Sequence, residues 1–348
     1  MRIGNREISS GHKPFIVAEM SGNHNNSLDR ALEILTQASK AGVDAVKLQT
    51  YTADTITLDA HKEDFIINDE NSLWNGMRMY DLYRKASTPW DWHEEIFNKA
   101  KELGILCFSS PFDETAVDFL EDINTPAYKI ASFENTHLPL IKKIISTGKP
   151  VIMSTGMASI SELSESVSVL TEKYLDNFAL LKCTSTYPAK ASESNIITIP
   201  HMKKLFNCQV GLSDHTIGIG TSIAAVAHGA SIIEKHFTLD KEDKGVDSAF
   251  SINPKEMNQL VNESRQAWES LGVIKYGPTK SEKESVKRRR SIYVSVDILE
   301  NQILSEKNIK VVRPGYGLPP KHYDSLLGMR ANKNLYKGTP IDWGMVKQ

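Results

Sequence analysis

The feature that most constrains the fold of this chain is an eightfold alternation of short apolar runs with longer segments of helical period. The runs are rich in Val, Ile and Phe and are too short for helices, which predicts buried β-strands. They cover residues 15–21, 45–50, 105–111, 127–132, 150–156, 178–185, 209–215 and 231–238. Eight strictly alternating units predict a closed (β/α)8 TIM barrel rather than an open doubly wound sheet, whose glycine-rich first turn this sequence lacks.

The segments between the runs carry helix start and stop signals. Ser27 is placed to cap a helix that ends at Gly42, and the last helix is predicted over residues 254–271, closed by Gly272. Residues 51–87 form a connection too long for an ordinary βα loop. Because such loops lie on the active face of a barrel, we expect this stretch to form part of the substrate rim.

The pattern changes after Gly272. We predict a barrel domain over residues 1–275, a linker over 276–290 and a second domain over 291–348 that opens with short β-like runs. Residues 2–8 are predicted to form an N-terminal hairpin at the barrel floor. The linker carries the basic run KRRR at 287–290, but acidic Glu282 and Glu284 precede it, which favours a solvated linker over a nucleic-acid site.

Charge and cysteine content restrict the cellular compartment and the binding partners that we expect for this chain. Lysine and arginine number 41 against 43 acidic residues, a formal charge of -2, so we expect neither nucleic acid nor an anionic membrane as a partner. The first ten residues are polar, and no stretch approaches the length of a bilayer span. Cys107, Cys183 and Cys208 have no CxxC spacing, which predicts packing residues in a reducing, cytoplasmic compartment.

Polar residues lie at or just after the ends of the predicted strands, and a barrel gathers those ends at one mouth. Lysines occur there on four strands, with hydroxyl residues around them, as a phosphorylated or carboxylated substrate would require. These lysines are Lys47, Lys129, Lys182 and Lys235. One alternative is that each lysine only pairs with Glu19, Asp113, Asp214 or Glu234, and another is a Schiff-base lysine.

Two histidines, His215 and His236, end adjacent predicted strands, so their imidazoles are expected to approach each other. Two neutral imidazoles, completed by water and substrate oxygens, suit a divalent ion such as Mn²⁺ or Mg²⁺. The alternative is a pair of structural histidines, each satisfied by its own hydrogen bonds.

The sequence around these positions resembles the sialic acid synthase family over essentially the whole chain. The motifs are IVAEMSGNHN at 16–25, DAVKLQT at 44–50, SSPFD at 109–113, YKIAS at 128–132, MSTGM at 153–157, GLSDHT at 211–216 and EKHFT at 234–238. The last segment, with RPG at 313–315, LGMR at 327–330 and YKG at 336–338, resembles that family's antifreeze-like (SAF, β-clip) domain.

The resemblance implies roles for individual residues. Phosphoenolpyruvate would contact Lys47, Ser110, Lys129, Ser132, Ser154, Ser185 and Ser213. The amino sugar would face Glu19, Gln49, Phe112, Tyr187 and Asp247, together with Arg313 supplied by the partner subunit of a homodimer whose C-terminal domains are swapped. A divalent metal ion (Mn²⁺, Mg²⁺ or Co²⁺) would be bound by His215 and His236.

The catalytic roles are hypotheses built on that assignment. Lys47 and Lys129 would balance the phosphate charge, and Glu19 would fix a sugar hydroxyl. Glu134 would move a proton to or from the attacking water, unless it only forms a salt bridge with Lys129.

Within the family, three motifs resemble the branch that makes pseudaminic acid: EMSGNH at 19–24, MYDLY at 79–83 and TPWDW at 88–92. The implied reaction condenses phosphoenolpyruvate with 2,4-diacetamido-2,4,6-trideoxy-L-altrose. N-acetylneuraminate or legionaminic acid synthesis remains an alternative within the family. A Schiff-base aldolase and a non-catalytic sugar-binding protein are the alternatives outside it.

Overall fold

The computed structural model describes residues 1–70, 72–172, 177–243 and 245–348. The chain divides into two compact units, Met1–Gly272 and Val273–Gln348. The strands are β1 (Arg2–Ile3), β2 (Arg6–Glu7), β3 (Phe15–Glu19), β4 (Ala45–Thr50), β5 (Leu106–Pro111), β6 (Tyr128–Ile130), β7 (Val151–Ser154), β8 (Phe178–Cys183), β9 (Gln209–Asp214), β10 (Ile232–His236), β11 (Ser291–Val294), β12 (Ile309–Val312), β13 (Arg330–Ala331) and β14 (Val346–Lys347).

The α-helices of the first unit mostly alternate with the strands. They are α1 (Leu28–Ala41), α2 (Ala53–Ile56), α3 (Met79–Ala86), α4 (His93–Glu102), α5 (Glu114–Asp122), α6 (Leu138–Ser146), α7 (Ile160–Thr171), α8 (Thr198–Phe206), α9 (Gly220–Ala227) and α10 (Pro254–Leu271). The second unit contributes α11 (Lys283–Val286) and α12 (Tyr323–Leu326).

The eight strands β3 to β10 form a closed barrel, in which each strand pairs with its neighbour in sequence and β10 returns to β3. All these pairings are parallel. The predicted (β/α)8 barrel is therefore confirmed. Most of the predicted strands are one or more residues too long at their C-terminal ends, because the chain leaves the sheet there for the turns of the mouth, as at the 3-10 turn Ser21–His24.

The helix signals act as the sequence indicated. The Ser27 side chain accepts a hydrogen bond from the Arg30 backbone N–H, and Gly42 ends α1 with a φ of 88°. Helix α10 has the predicted bounds, with Asn253 and Glu256 forming a capping box at its start.

Strand alternation separates two apolar layers in the barrel. Outward residues of the strands pack against the helices, while inward residues form a cluster that fills the lower barrel. Ile3 and Ile8, at either end of the β1–β2 hairpin, belong to that inner cluster. The apolar filling ends part of the way up the barrel, and polar side chains occupy the inward positions above it.

The second unit has its own apolar core. Strand β11 pairs with β12 and β13 with β14, all antiparallel. Ile292, Ile309, Leu326 and Ile341 are among the buried residues of this core. None of the helices in the described ranges combines the length and apolar character needed to cross a bilayer.

Candidate active site

The inward polar layer occupies the carboxyl ends of the barrel strands. Its members continue the parity of the inner apolar residues, so that Phe15 and Val17 precede Glu19 on β3, and Ile232 precedes Glu234 and His236 on β10. The layer consists of Glu19, Lys47, Ser110, Lys129, Ser154, Ser213, Glu234 and His236, all less than 9% exposed.

Lys47 and Glu19 form the first buried pair of this layer. Lys47 Nζ lies 2.6 Å from Glu19 Oε2 and 3.4 Å from Ser110 Oγ. Gln49 donates a hydrogen bond of 2.9 Å to Glu19 Oε1. Burial, reinforced by the nearby charge of Glu234, outweighs the attraction of Lys47 and raises the pKa of Glu19 to about 7.

Lys129 is the second inward cation. Its Nζ donates to Ser154 Oγ at 2.7 Å and lies 3.8 Å from Glu234 Oε1. Ser213 Oγ donates to the same Glu234 oxygen at 2.9 Å. Burial lowers the pKa of Lys129, although Glu234 opposes that shift.

Ser132 and Ser185 lie beside Gly156 at the end of β7. The Gly156 backbone N–H donates to Ser132 Oγ at 3.2 Å. A Cβ on Gly156 would lie 2.2 Å from Ser185 Oγ and 2.7 Å from Ser132 Oγ. Only glycine leaves both hydroxyls in place, so the three residues form one cradle of small polar groups.

Glu134 follows Ser132 in a 3-10 turn. The predicted alternative, a salt bridge with Lys129, is not formed between these two described residues, because Lys129 pairs with Glu234 instead. Glu134 Oε2 is buried and has no hydrogen-bond partner among the described residues. Burial raises the pKa of Glu134 to about 7 despite the nearby charge of Lys129.

The two histidines meet as expected. Their ring centroids are 5.3 Å apart. His215 Nδ1 lies 2.9 Å from the Thr184 carbonyl oxygen, so a proton on Nδ1 leaves the Nε2 lone pair free. His236 Nδ1 is buried without a hydrogen-bond partner in the described chain, and burial, followed by the charge of His215, lowers the pKa of His236 well below its usual value.

These properties fit a cation site with two protein ligands. Within the described residues, no group of three or more His, Cys, Asp and Glu side chains is arranged to hold a metal ion. Burial lowers the pKa of His215, but Cys183 and the Thr184 carbonyl outweigh burial and raise it, so a bound cation would compete with a proton there. A metal held by this pair would need further ligands from substrate and water.

Two of the side chains predicted to face the sugar, Tyr187 and Asp247, lie beside the histidines. The Tyr187 ring lies 4.5 Å from that of His215 and 5.2 Å from that of Phe250. Asp247 Oδ2 lies 3.8 Å from His236 Nδ1, and burial raises the pKa of Asp247. The Phe112 ring packs edge-on at 5.0 Å against Tyr51, the first residue of the long rim stretch.

Three expectations about strand-end charges need correction, those for Lys235, Lys182 and Asp113, whereas the alternative that Asp214 pairs with a lysine is confirmed. Lys235 and Asp214 have the outward parity, pair with each other at 2.9 Å and belong to the helix layer. Lys182 also has outward parity, and its Nζ donates to the Cys183 carbonyl oxygen. Among the described residues, Asp113 forms no ion pair with a lysine, and it instead caps α5 by accepting from the backbone N–H groups of Thr115 and Ala116.

Two buried residues of the mouth received no catalytic or substrate-binding role from the sequence, which gave Glu234 only as a possible ion-pair partner of a lysine and Cys183 only as a packing residue. Glu234 lies between Lys47 and Lys129, and the parity it shares with Ile232 and His236 is the signal that would have identified it. Cys183 is buried as predicted, but its sulfur lies 3.8 Å from His215 Nδ1. Burial raises the pKa of that thiol, yet His215 and the other groups around it outweigh burial and lower it to about 6.

Arg313 lies in the second unit, exposed, just after β12.

Comparison with known proteins agrees with this geometry. The NeuB family matches residues 34–276, and the SAF domain matches residues 289–347. The pseudaminic acid synthase of Campylobacter jejuni is 44% identical over 99% of this chain and 99% of its own length, and that of Helicobacter pylori is 43% identical over 94% and 96%. The crystal structure of the N-acetylneuraminic acid (sialic acid) synthetase from Leptospira borgpetersenii superposes with a TM-score of 0.72 at 32% identity, covering 82% of this chain and 94% of that one. A chain with this barrel, this mouth and these relatives belongs to the NeuB family and carries a SAF domain at its C-terminal end.

Proposed function

We propose that this chain condenses phosphoenolpyruvate with 2,4-diacetamido-2,4,6-trideoxy-L-altrose and water to give pseudaminic acid and phosphate, with cleavage of the phosphoenolpyruvate C–O bond. One observation carries the proposal. Two buried lysines, a histidine pair and a cradle of serines converge on one barrel mouth, in a chain whose relatives of 43–44% identity are named pseudaminic acid synthases.

Phosphoenolpyruvate brings two anionic groups, and the mouth supplies matching cations and hydroxyls. Lys47 and Lys129 would bind and neutralise its phosphate and carboxylate. Ser110 contacts Lys47 and Ser154 contacts Lys129, while Ser213 donates to Glu234, and Ser132 and Ser185 lie beside Gly156. Lys47 Nζ already contacts Glu19 at 2.6 Å. A bound substrate must therefore either share Lys47 with the Glu19 carboxylate or displace that carboxylate.

Glu134 is the group best placed to move a proton at the attacking water. Its free Oε2 and its pKa of about 7 let it hold or release a proton near neutral pH. His215 and His236 would hold the divalent ion, Mn²⁺, Mg²⁺ or Co²⁺. When bound, that ion would supply Lewis-acid polarisation of the acceptor aldehyde.

Glu19, Gln49, Phe112, Tyr187 and Asp247 would orient the open-chain sugar. Glu19 and Gln49 are already hydrogen-bonded to each other and present one polar edge. Tyr187 packs against His215 and Phe112 packs against Tyr51, and both rings would offer aromatic surface to the sugar. Such a combination fixes both the hydroxyl groups and the apolar groups of a deoxy amino sugar.

We further propose that the active form is a homodimer in which the SAF domain of one subunit covers the mouth of the other, bringing in Arg313. Exposed apolar side chains stand on turns that follow the strands, with Phe133 and Met157 each 63% exposed and Ile217 62% exposed. Apolar surface of this kind favours burial by a partner. Mixing Arg313→Ala with His236→Ala should restore some active sites, and no recovery of activity would reject the swap.

Three buried, unpaired cysteines suit a cytoplasmic location, which we also propose.

The decisive experiment measures phosphate release from phosphoenolpyruvate with three acceptors: the altrose derivative, N-acetylmannosamine and the legionaminic acid precursor. Turnover is expected with the first. Turnover with N-acetylmannosamine alone would reject the proposed acceptor while keeping the reaction class. With oxygen-18 in the C2–O bond the label should leave in phosphate, and borohydride with pyruvate should trap no adduct, whereas trapping would indicate a Schiff-base enzyme.

A further inference from the structure

A short finger in the long rim stretch reaches the mouth from outside the barrel. Residues 66–70 and 72–78 hold it together by an antiparallel bridge between Ile66 and Arg78 and by hydrogen bonds between Ile67 and the Gly76–Met77 backbone. Its base is fixed by Arg78, which binds Asp59 at 2.7 Å and Asp81 through two nitrogens at 2.8 and 3.0 Å. The finger is therefore an ordered element whose base is held in place by the ion pairs of Arg78.

Trp74, near the tip of the finger, makes the contacts with the mouth. Its Nε1 donates to the Val246 carbonyl oxygen at 3.2 Å, one residue before Asp247. Its ring lies 5.8 Å from the Tyr187 ring, and Tyr187 in turn packs at 4.5 Å against His215. Trp74 therefore stands one aromatic ring farther from the histidine pair than Tyr187 does.

This placement limits what Trp74 can recognise. The acceptor aldehyde belongs at the histidine pair, so Trp74 faces the carbons beyond it. The only polar atom of the side chain is already bound to Val246, which leaves apolar ring surface for the sugar. Such a surface favours a methyl group and offers no hydrogen bond to a hydroxyl.

We propose that Trp74 is a specificity-determining residue that selects acceptors with a methyl group at C6 over acceptors with a hydroxymethyl group. The inference rests on the proposed function, since it assigns one part of that acceptor to one wall of the mouth. An apolar wall distinguishes substrates differing by one hydroxyl by about a hundredfold at most. We expect Trp74 to account for about tenfold of that ratio.

The test compares two acceptors that differ by one oxygen: 2,4-diacetamido-2,4,6-trideoxy-L-altrose and its 6-hydroxy counterpart. The ratio of their kcat/KM values is measured for the full-length chain, for Trp74→Phe and for Trp74→Ala. Trp268→Ala is the matched control, because Trp268 is also half-buried and its Nε1 also donates to a backbone carbonyl, that of Ser10, at 3.0 Å.

In Trp74→Ala the preference for the 6-deoxy acceptor should fall about tenfold, while the KM for phosphoenolpyruvate stays unchanged. Trp74→Phe keeps a ring and should retain most of the preference, and Trp268→Ala should retain all of it. An unchanged ratio in Trp74→Ala, or an equal loss with both acceptors, would overturn the inference. The unmodified chain tests the proposed function separately, because its failure to release phosphate with the altrose derivative would reject that acceptor before any variant is compared.

Discussion

Two buried lysine–carboxylate pairs lie on opposite faces of the same barrel wall. Lys235 and Asp214 face the helices and are 2.9 Å apart, whereas Lys47 and Glu19 face the interior and are 2.6 Å apart. All four side chains are at most 4% exposed. Burial and pairing alone therefore do not separate a structural ion pair from one that serves a substrate.

The two pairs differ in how many of the buried polar atoms around them have hydrogen-bond partners. Around Lys235, Asp214 Oδ1 accepts from the Thr216 N–H and hydroxyl, Oδ2 accepts from Ser222, and Lys235 also donates to the Thr216 carbonyl. Around Lys47, Glu134 Oε2, Glu234 Oε2 and His236 Nδ1 are buried with no hydrogen-bond partner among the described residues. Because unsatisfied buried polar atoms are costly, a ligand bound at this mouth would be expected to supply the missing bonds.

The largest expected effect tests whether the incomplete network is the functional one. Replacing His236 with Ala should lower kcat/KM by about a thousandfold or more, because it would remove one of the two residues proposed to hold a divalent ion, whose Lewis-acid chemistry would be worth several kcal/mol. Phosphate release is measured with and without a chelator, and His201→Ala, at an exposed position, is the control. Full activity of His236→Ala, or of the original chain in excess chelator, would remove the metal from the scheme.

Replacing the lysine of each ion pair in turn tests the comparison between the inward and the outward pair directly. Lys47→Met should lower kcat/KM by about a hundredfold to a thousandfold, because it would remove one of the two cations proposed to neutralise the phosphate and carboxylate of phosphoenolpyruvate. Lys235→Met should instead lower the free energy of unfolding by about 3–5 kcal/mol, because it leaves Asp214 buried without its partner cation.

Urea unfolding and phosphate release are measured for both variants at a temperature where both remain folded. If Lys235→Met loses as much turnover as Lys47→Met in its folded state, the division between outward and inward pairs is wrong.

The Glu134→Gln variant tests whether the Glu134 carboxyl transfers a proton during the reaction. We expect kcat to fall by about a hundredfold with the KM for phosphoenolpyruvate unchanged, and the limb of the pH profile near pH 7 to disappear. A variant with unchanged kcat and the same pH profile would assign the proton transfer to another group.

The same variant has a predicted effect on stability with a defined sign. Burial raises the pKa of Glu134 from 4.5 to about 7, so between these pH values the folded chain keeps a proton that the unfolded chain has lost. Stability therefore falls as the pH rises through this window, by up to about 3 kcal/mol. Glu134→Gln should flatten that part of the curve of unfolding free energy against pH.

The barrel and the order of its strands could be predicted from the sequence because hydrophobic period and helix caps are local signals, whereas the C-terminal ends of most strands are predicted one or two residues too late. The orientation of strand-end charges could also have been predicted, since counting in steps of two from Ile232 places Glu234 and His236 inside and Lys235 outside. Which inward atoms lack partners could not, because Glu134 and Glu234 depend on side chains distant in sequence. The same holds for Trp74, whose contact with Val246 spans 172 positions.

The smallest expected effect concerns Asp113, a strand-end carboxylate that resembles the inner ones in sequence but the outer pair in its bonding. It accepts hydrogen bonds from Thr115 and Ala116 at the start of α5 and lies among exposed groups. Asp113→Ala should cost about 1 kcal/mol of unfolding free energy through loss of the cap, and Asp113→Asn should keep most of it. Neither variant should change kcat/KM in urea-free buffer. A loss of turnover comparable to that of Lys47→Met would mean that a fully bonded carboxylate can still serve the reaction, and completeness of bonding would then no longer separate structural from functional groups in this barrel.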